Sequence, residues 1–112
     1  MAAGDVVVGG SYVDWHALHN KVALIGTVTL DGGNPTPIDL SAYVTALDGA
    51  VVSLEGTATP GDDPVQVTSA ISGTTLNVYA WKHDGTDPTL VASTNNARLV
   101  NFFALGTKKA GL

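Results

Sequence analysis

The sequence contains no cysteine, which excludes both disulfides and thiolate metal sites. A domain of 112 residues must then be held together by its hydrophobic core or by its partners. Charged residues are also scarce, because they make up 13% of the chain, about half the usual quarter. A surface with so little charge is typical of a protein that is covered by neighbours.

Positive charge is especially sparse. Five Lys and Arg residues stand against ten Asp and Glu residues, which gives a net charge of −5. Binding to nucleic acid needs clustered cations, and the pair Lys108-Lys109 is too small a cluster. The chain has no basic N-terminal segment and no run near the roughly 18 apolar residues of a membrane span. We therefore expect no nucleic-acid partner, no membrane segment, and synthesis in a cytoplasm.

Residues 65–106 contain the clearest strand pattern. Val65–Ile71 alternates, Ser72-Gly73 offers a two-residue turn in which glycine can take a positive φ, and residues 76–83 alternate again. We predict a half-buried β-hairpin here, with a further strand from Ala97 to Leu105. One face of its second strand carries Leu76, Val78 and Ala80, and the other carries Asn77, Tyr79, Trp81 and His83.

Lys21–Leu30 is the longest strand candidate. One of its faces is apolar, and the other carries Ala, Ile and Thr. Residues 50–55 predict another strand, and Leu90-Val91 a short one. The apolar face of the longest strand consists of Val22, Leu24, Gly26, Val28 and Leu30.

One segment between these strands has helical periodicity. Four large apolar residues follow the i, i+3, i+4, i+7 pattern of a helix face. Asp39 or Ser41 could cap its start, and Gly49 could follow its end. We therefore predict one or two turns of helix within residues 38–47. The four apolar residues are Leu40, Tyr43, Val44 and Leu47.

Together these patterns predict an all-β fold. About six or seven strands follow one another with turn signals between them, which favours a single-domain antiparallel β-sandwich or small barrel with one short helix. Residues 20–107 form this domain. Residues 1–19 are an N-terminal arm and lead-in, and residues 108–112 are a short basic tail.

The N-terminal residues are candidates for binding a partner. Val6-Val7-Val8 precedes Gly9-Gly10 and predicts either a short strand or an arm that orders only against a partner. Tyr12 and Trp15 follow in a segment without a clear period. We assign partner binding to Val6, Val7, Val8, Tyr12 and Trp15.

Residues suited to catalysis or metal binding do not form a recognisable motif. His16, His19 and His83 have no HExxH pattern or suitably spaced carboxylate, so surface or capping histidines are the favoured interpretation. No nucleophile motif and no paired carboxylates stand out either. We expect no enzyme activity, no metal and no cofactor.

Three acidic turns leave an alternative open. Asp and Asn are ordinary turn residues because they bond to their own backbone, and this is the favoured interpretation. Calcium binding is the alternative, although none of the turns matches the twelve-residue calcium loop. The turns are Asp31–Asn34, Asp62-Asp63 and Asp84–Asp87.

An aromatic strand face leaves a second alternative open. Tyr79 and Trp81, with Asn77 and His83 beside them, could stack on a sugar in a carbohydrate-binding or host-attachment module of a fibre or spike. Trp and Tyr equally fill a sandwich core or a subunit interface. The core or interface is the favoured interpretation, and sugar binding is the alternative.

The sequence also resembles a known class of viral proteins. The runs GTVTLDGGNPTPIDLSAYVTALDGAVVSLEGT, PGDDP, ISGTTLNVYAWK and GTDPTLVAST are similar to small β-rich head decoration, or cement, proteins of tailed bacteriophages, including marine and cyanobacterial phages. The similarity covers residues 21–106. It implies a β-sandwich protein without catalytic residues that is made in the host cytoplasm and forms a homotrimer. It also implies a place on the outer capsid surface of the virion, bridging subunits of the major capsid protein.

Overall fold

The computed structural model describes residues 3–13, 20–55, 63–86 and 89–110. Across these ranges eight strands form two antiparallel sheets, and no helix is present. The all-β prediction is confirmed, with eight strands where six or seven were expected. The strands are β1 (Val6–Val13), β2 (Lys21–Thr29), β3 (Thr36–Asp39), β4 (Val44–Leu54), β5 (Gln66–Ser72), β6 (Thr75–His83), β7 (Leu90–Ala92) and β8 (Leu99–Lys108).

The first sheet has the strand order β1-β2-β8-β4. Its centre is the pair β2–β8, in which Lys21 lies opposite Thr107 and Thr29 opposite Leu99. The predicted strand Lys21–Leu30 is thus confirmed. The side of this strand that was predicted to be apolar, with Val22, Leu24 and Val28, points into the core. The last strand begins and ends slightly later than the predicted range of 97–105. Buried residues on the inner faces of β2 and β8 are Val22, Leu24, Val28, Val100, Phe102 and Ala104.

The second sheet is built on the predicted hairpin. β5 and β6 pair from Gln66 opposite Trp81 to Ser72 opposite Thr75. The turn is therefore Gly73-Thr74, one residue later than predicted, and Gly73 has a φ of +61°, which favours glycine. The inner face of β6 is buried as its alternation predicts. In β5 only Val67 packs against the core, so that strand is more exposed than predicted.

Two short strands share the other edge of β6. β3 pairs with Thr75–Val78, and β7 pairs with Trp81–His83. Ala80 lies at the junction between them. Its N–H donates to Asn34 Oδ1 at 2.8 Å, and its carbonyl accepts from Ser93 N–H at 2.8 Å. Both main-chain groups of Ala80 are thus paired at the junction between β3 and β7.

The core lies between the inner faces of the two sheets. Residues from both sheets form one cluster of buried side chains, which is the arrangement of a two-layer β-sandwich. The second sheet and its flanking loop contribute Ile38, Leu40, Leu76, Val78 and Ala80.

The predicted helix within residues 38–47 is wrong. Tyr43 N–H and Val44 N–H both donate to the Leu40 carbonyl, at 3.0 and 3.1 Å, which makes a tight turn between β3 and β4. β4 then contains two β-bulges, because Thr45 and Asp48 have no directly opposed partner in β8. Each bulge adds one residue between inward-facing positions. Val44, Leu47 and Ala50 therefore all pack on the core at a spacing of three.

The N-terminal strand belongs to the first sheet. β1 pairs with β2 from Val6 opposite Val28 to Val13 opposite Val22, with a bulge at Gly9. The sequence left two possibilities open for residues 6–8, a short strand or an arm that orders only against a partner. The structure has the strand. β8 ends at Lys108, which was predicted to begin the basic tail.

Candidate functional site

The outer face of the first sheet exposes a row of large apolar side chains. Ile25 lies opposite Phe103, and Phe103 lies opposite Val51 on the next strand. Directly opposed residues of antiparallel strands share one face, so the three form a continuous line across β2, β8 and β4. Their exposed fractions are 45%, 46% and 67%. Val7 on β1 is 48% exposed and lies on the same side, opposite Thr27. We call these four residues the apolar face.

A groove of about 280 Å³ adjoins the apolar face. It runs past Gly26 and past Gly9, the position at which β1 bulges. The ring of Phe102 passes close to Gly26: a Cβ at Gly26 would lie 2.7 Å from Phe102 Cζ. The groove is lined by Val7, Gly9, Ile25, Gly26, Thr27, Asn101 and Phe102.

Among the described residues, charge is confined to the edges of this face. Lys21 lies at one end, where its Nζ contacts Asp48 Oδ2 at 2.6 Å and Thr107 Oγ1 at 3.1 Å. Arg98 lies near the other end, where its guanidinium donates to the Glu55 carbonyl at 3.3 Å. An apolar centre with a polar rim is the usual anatomy of a protein–protein interface. Uncharged neighbours that share this face are Ala23, Thr27, Gly49, Ser53, Asn101 and Leu105.

The residues predicted to bind a partner fall in different places. Val7 belongs to the apolar face. Val6 and Val8 lie opposite Val28 and Gly26, so they are on the inner side of the sheet, and Val8 packs on the core. Tyr12 is in β1, opposite Ala23, and Trp15 lies outside the described residues.

The apolar face was not predicted as a site. The sequence carried a signal for it, since Ile25 occupies the second face of an alternating strand. Phe103 and Val51 also take outward positions in their strands. Without the strand register, nothing in the sequence places these three side chains side by side.

The outer face of the second sheet carries the predicted aromatic strip. The rings of Tyr79 and Trp81 are 6.3 Å apart between centroids and 12° from parallel. Trp81 Nε1–H donates to Thr68 Oγ1 on β5 at 2.9 Å. Both aromatic residues are partly exposed, as is Asn77, and His83 is exposed at the end of β6. All four residues named from the sequence therefore share this outer side.

The predicted histidine and acidic candidates do not form a metal-holding cluster in the part of the chain that the structure describes. It contains no group of three or more His, Cys, Asp or Glu residues placed to hold a metal ion. His16 and His19, two of the three candidate ligands, lie outside it. Ser93 is buried, but its hydroxyl donates to Asp63 and accepts from Asn95 N–H, so it organises a loop.

One carboxyl group has a shifted pKa. Ser41 N–H donates to Asp39 Oδ1 at 2.9 Å, and this backbone hydrogen bond, aided by the Ser41 hydroxyl, lowers the pKa of the Asp39 carboxyl. Hydrogen bonds of this kind favour the ionised form. Asp39 is exposed at the end of β3, so its lowered pKa results from hydrogen bonds within a surface turn.

Comparisons with known protein families, with curated proteins and with solved structures give no match for this chain. In the described residues, no helix is long and apolar enough to cross a membrane.

Proposed function

We propose that this chain is a structural virion protein, a decoration or cement protein that binds the outer surface of a phage head and bridges subunits of the major capsid protein. The observation that carries this proposal is the apolar face, Val7, Ile25, Val51 and Phe103. Four exposed large apolar side chains side by side, with charge confined to the rim in the described part of the chain, favour a role in assembly.

The area of the outer side of the first sheet is consistent with a specific but weak contact. Nine residues of β2 extend over roughly 30 Å, and four strands about 4.8 Å apart span roughly 19 Å. Covering the whole outer side of this sheet would bury on the order of 1,100 Å² when both partners are counted. Because Ala23 and Thr29 on this side are already buried, the contact lies below the usual range of stable interfaces. One such contact gives modest affinity.

A homotrimer would overcome this weakness. Three copies that bind adjacent capsid subunits together gain avidity, because the second and third contacts form at high effective concentration. Bridging also stabilises the shell, since separating two subunits would require breaking their contacts with the same trimer. We include the β1 edge, with Val6, Val8 and Tyr12, in the contact, because β1 is the terminal strand of its sheet and such a strand can pair with an extended strand of a partner.

The proposal is tested by binding to shells assembled from the major capsid protein of the same phage. Phe103→Glu places a charge at the centre of the apolar face, and we expect it to reduce co-sedimentation with these shells at least about tenfold, the effect of 1.4 kcal/mol. Burying an unpaired charge in an interface costs more than that.

Ala70→Glu provides the control. Ala70 is exposed on the outer side of β5 in the other sheet, where it lies opposite Asn77. We expect this variant to bind like the unmodified protein. If Phe103→Glu binds the shells as well as the unmodified protein does, the apolar face is not part of the capsid contact. If the unmodified protein itself does not bind the shells, the proposed function is refuted.

A further inference from the structure

We propose that the outer face of the second sheet binds a neutral pyranose sugar on a platform formed by the rings of Tyr79 and Trp81. This inference does not depend on the proposed function, because the platform and the apolar face lie on opposite sides of the sandwich. It would give the protein a second binding activity, toward glycans.

The indole of Trp81 is fixed by a hydrogen bond to the neighbouring strand. Trp81 lies directly opposite Gln66 on β5, yet its Nε1–H donates to Thr68 Oγ1 at 2.9 Å. Because Thr68 lies opposite Tyr79, this hydrogen bond crosses diagonally between the strands and sets the orientation of the indole. Trp81 is partly exposed, so the fixed ring remains accessible from solvent.

The ring of Tyr79 is aligned with the indole. The two ring planes are 12° from parallel, and their centroids are 6.3 Å apart, so the rings are stacked with an offset or a wide spacing. Both rings are partly exposed on the outer side of β6, and together they form one aromatic patch, the platform.

The chemistry of the two rings indicates the class of ligand. The face of an aromatic ring is electronegative and attracts weakly positive groups such as C–H. A pyranose with equatorial hydroxyl groups directs its axial C–H bonds to its two flat faces and its hydroxyl groups to its rim. One flat face therefore fits the platform, and the hydroxyl groups are left for polar side chains beside it.

Such side chains surround the platform. Asn77 precedes Tyr79 on the same face of β6, Thr68 lies opposite Tyr79, and Gln66 lies opposite Trp81. Amides and hydroxyl groups both donate and accept hydrogen bonds, as sugar hydroxyl groups do. None of these residues is charged, which favours a neutral sugar over an acidic one.

The rings are not needed for the core. The buried face of β6 is formed by Leu76, Val78 and Ala80, whereas Tyr79 and Trp81 remain partly exposed on the other side. Removing either ring should therefore leave the sandwich folded. This makes substitution a clean test of binding.

The experiment is a titration of the ¹⁵N-labelled full chain with methyl β-D-glucopyranoside, followed by ¹H–¹⁵N NMR. Equatorial substituents make this probe the best match to the platform. We expect millimolar binding, with shifts at the Trp81 indole N–H and at the amides of residues 66–70 and 77–81. The α-mannoside, β-galactoside and N-acetylglucosaminide are titrated in the same way to define the preferred sugar.

Three variants make the test specific. Trp81→Ala and Tyr79→Ala should each weaken binding about tenfold or more, since each loses one ring contact. Tyr79→Phe keeps the ring and should keep most of the binding. The dispersion of the amide spectrum reports whether each variant is folded. Absence of shifts with all four sugars, or unchanged binding by a folded Trp81→Ala variant, would overturn the inference.

Discussion

Two threonines with nearly complete burial differ in the surroundings of their hydroxyl groups. Thr29 Oγ1 is buried and has no hydrogen-bond partner among the residues that the structure describes. Thr36 Oγ1 donates to Asp31 Oδ1 at 2.8 Å and accepts from Asp31 N–H at 3.2 Å. An unpaired buried hydroxyl group costs free energy, whereas a paired one contributes to stability. At the scale of single residues, stability should therefore respond in opposite directions to the same substitution.

We expect Thr29→Val to increase the free energy of unfolding by about 1 kcal/mol, because valine has the same shape without the unpaired hydroxyl group. Thr36→Val should decrease it by about 1–3 kcal/mol, because two hydrogen bonds to Asp31 are lost. Urea denaturation of both variants measures these changes. Destabilisation by Thr29→Val would mean that the hydroxyl group has a partner, such as a bound water molecule.

At the scale of strands, periodicity predicted the elements that pair regularly. β2, β6 and β8 alternate without interruption, so their buried faces could be identified from the sequence. β4 could not, because its two bulges turn the strand period into a spacing of three and imitate a helix. A bulge depends on which residues of the partner strand lie opposite, and the sequence of one strand does not contain that information.

The candidate sites were predictable to different degrees, because positions within one strand can be inferred from the sequence and contacts between strands cannot. Tyr79 and Trp81 were placed on one face because they are two residues apart in one strand. The Trp81–Thr68 hydrogen bond and the row Ile25–Phe103–Val51 join different strands. Their geometry follows from strand register, which is fixed by packing across the whole sheet.

The close approach of β1 to β2 gives a prediction at this scale. A Cβ at Gly26 would lie 2.3 Å from the Val7 carbonyl oxygen and 2.7 Å from Phe102 Cζ. Because the nearest atom belongs to the backbone, it cannot move without shifting β1. We expect Gly26→Ala to lower the free energy of unfolding by about 1–3 kcal/mol, measured by thermal denaturation as a decrease in Tm.

Gly49→Ala is the control for this substitution. Gly49 also lies in a strand of the first sheet, but a Cβ there would meet nothing within 4 Å. Alanine in place of this glycine should leave stability unchanged or raise it slightly, because it restricts the unfolded chain. If both variants lose the same stability, the contact between β1 and β2 is not the cause.

At the scale of the whole molecule, charge and apolar surface act in opposite directions on self-association. Each chain carries a net charge of −5, so copies repel one another at long range. Contacts between uncharged surfaces are not weakened by salt, whereas this repulsion is screened by it. A homotrimer held by contacts between uncharged surfaces should therefore become more stable as salt is added.

We expect light scattering to give a mass of roughly three times 11.4 kDa, with the trimer population increasing as NaCl rises from about 0.01 M to about 0.1 M. Over this range the Debye length falls from about 30 Å to about 10 Å, which removes most of the repulsion between copies. Dissociation on adding salt would show that ion pairs hold the copies together. A monomer at every salt concentration would confine trimer formation to the capsid surface, where neighbouring subunits would have to bring the three copies together.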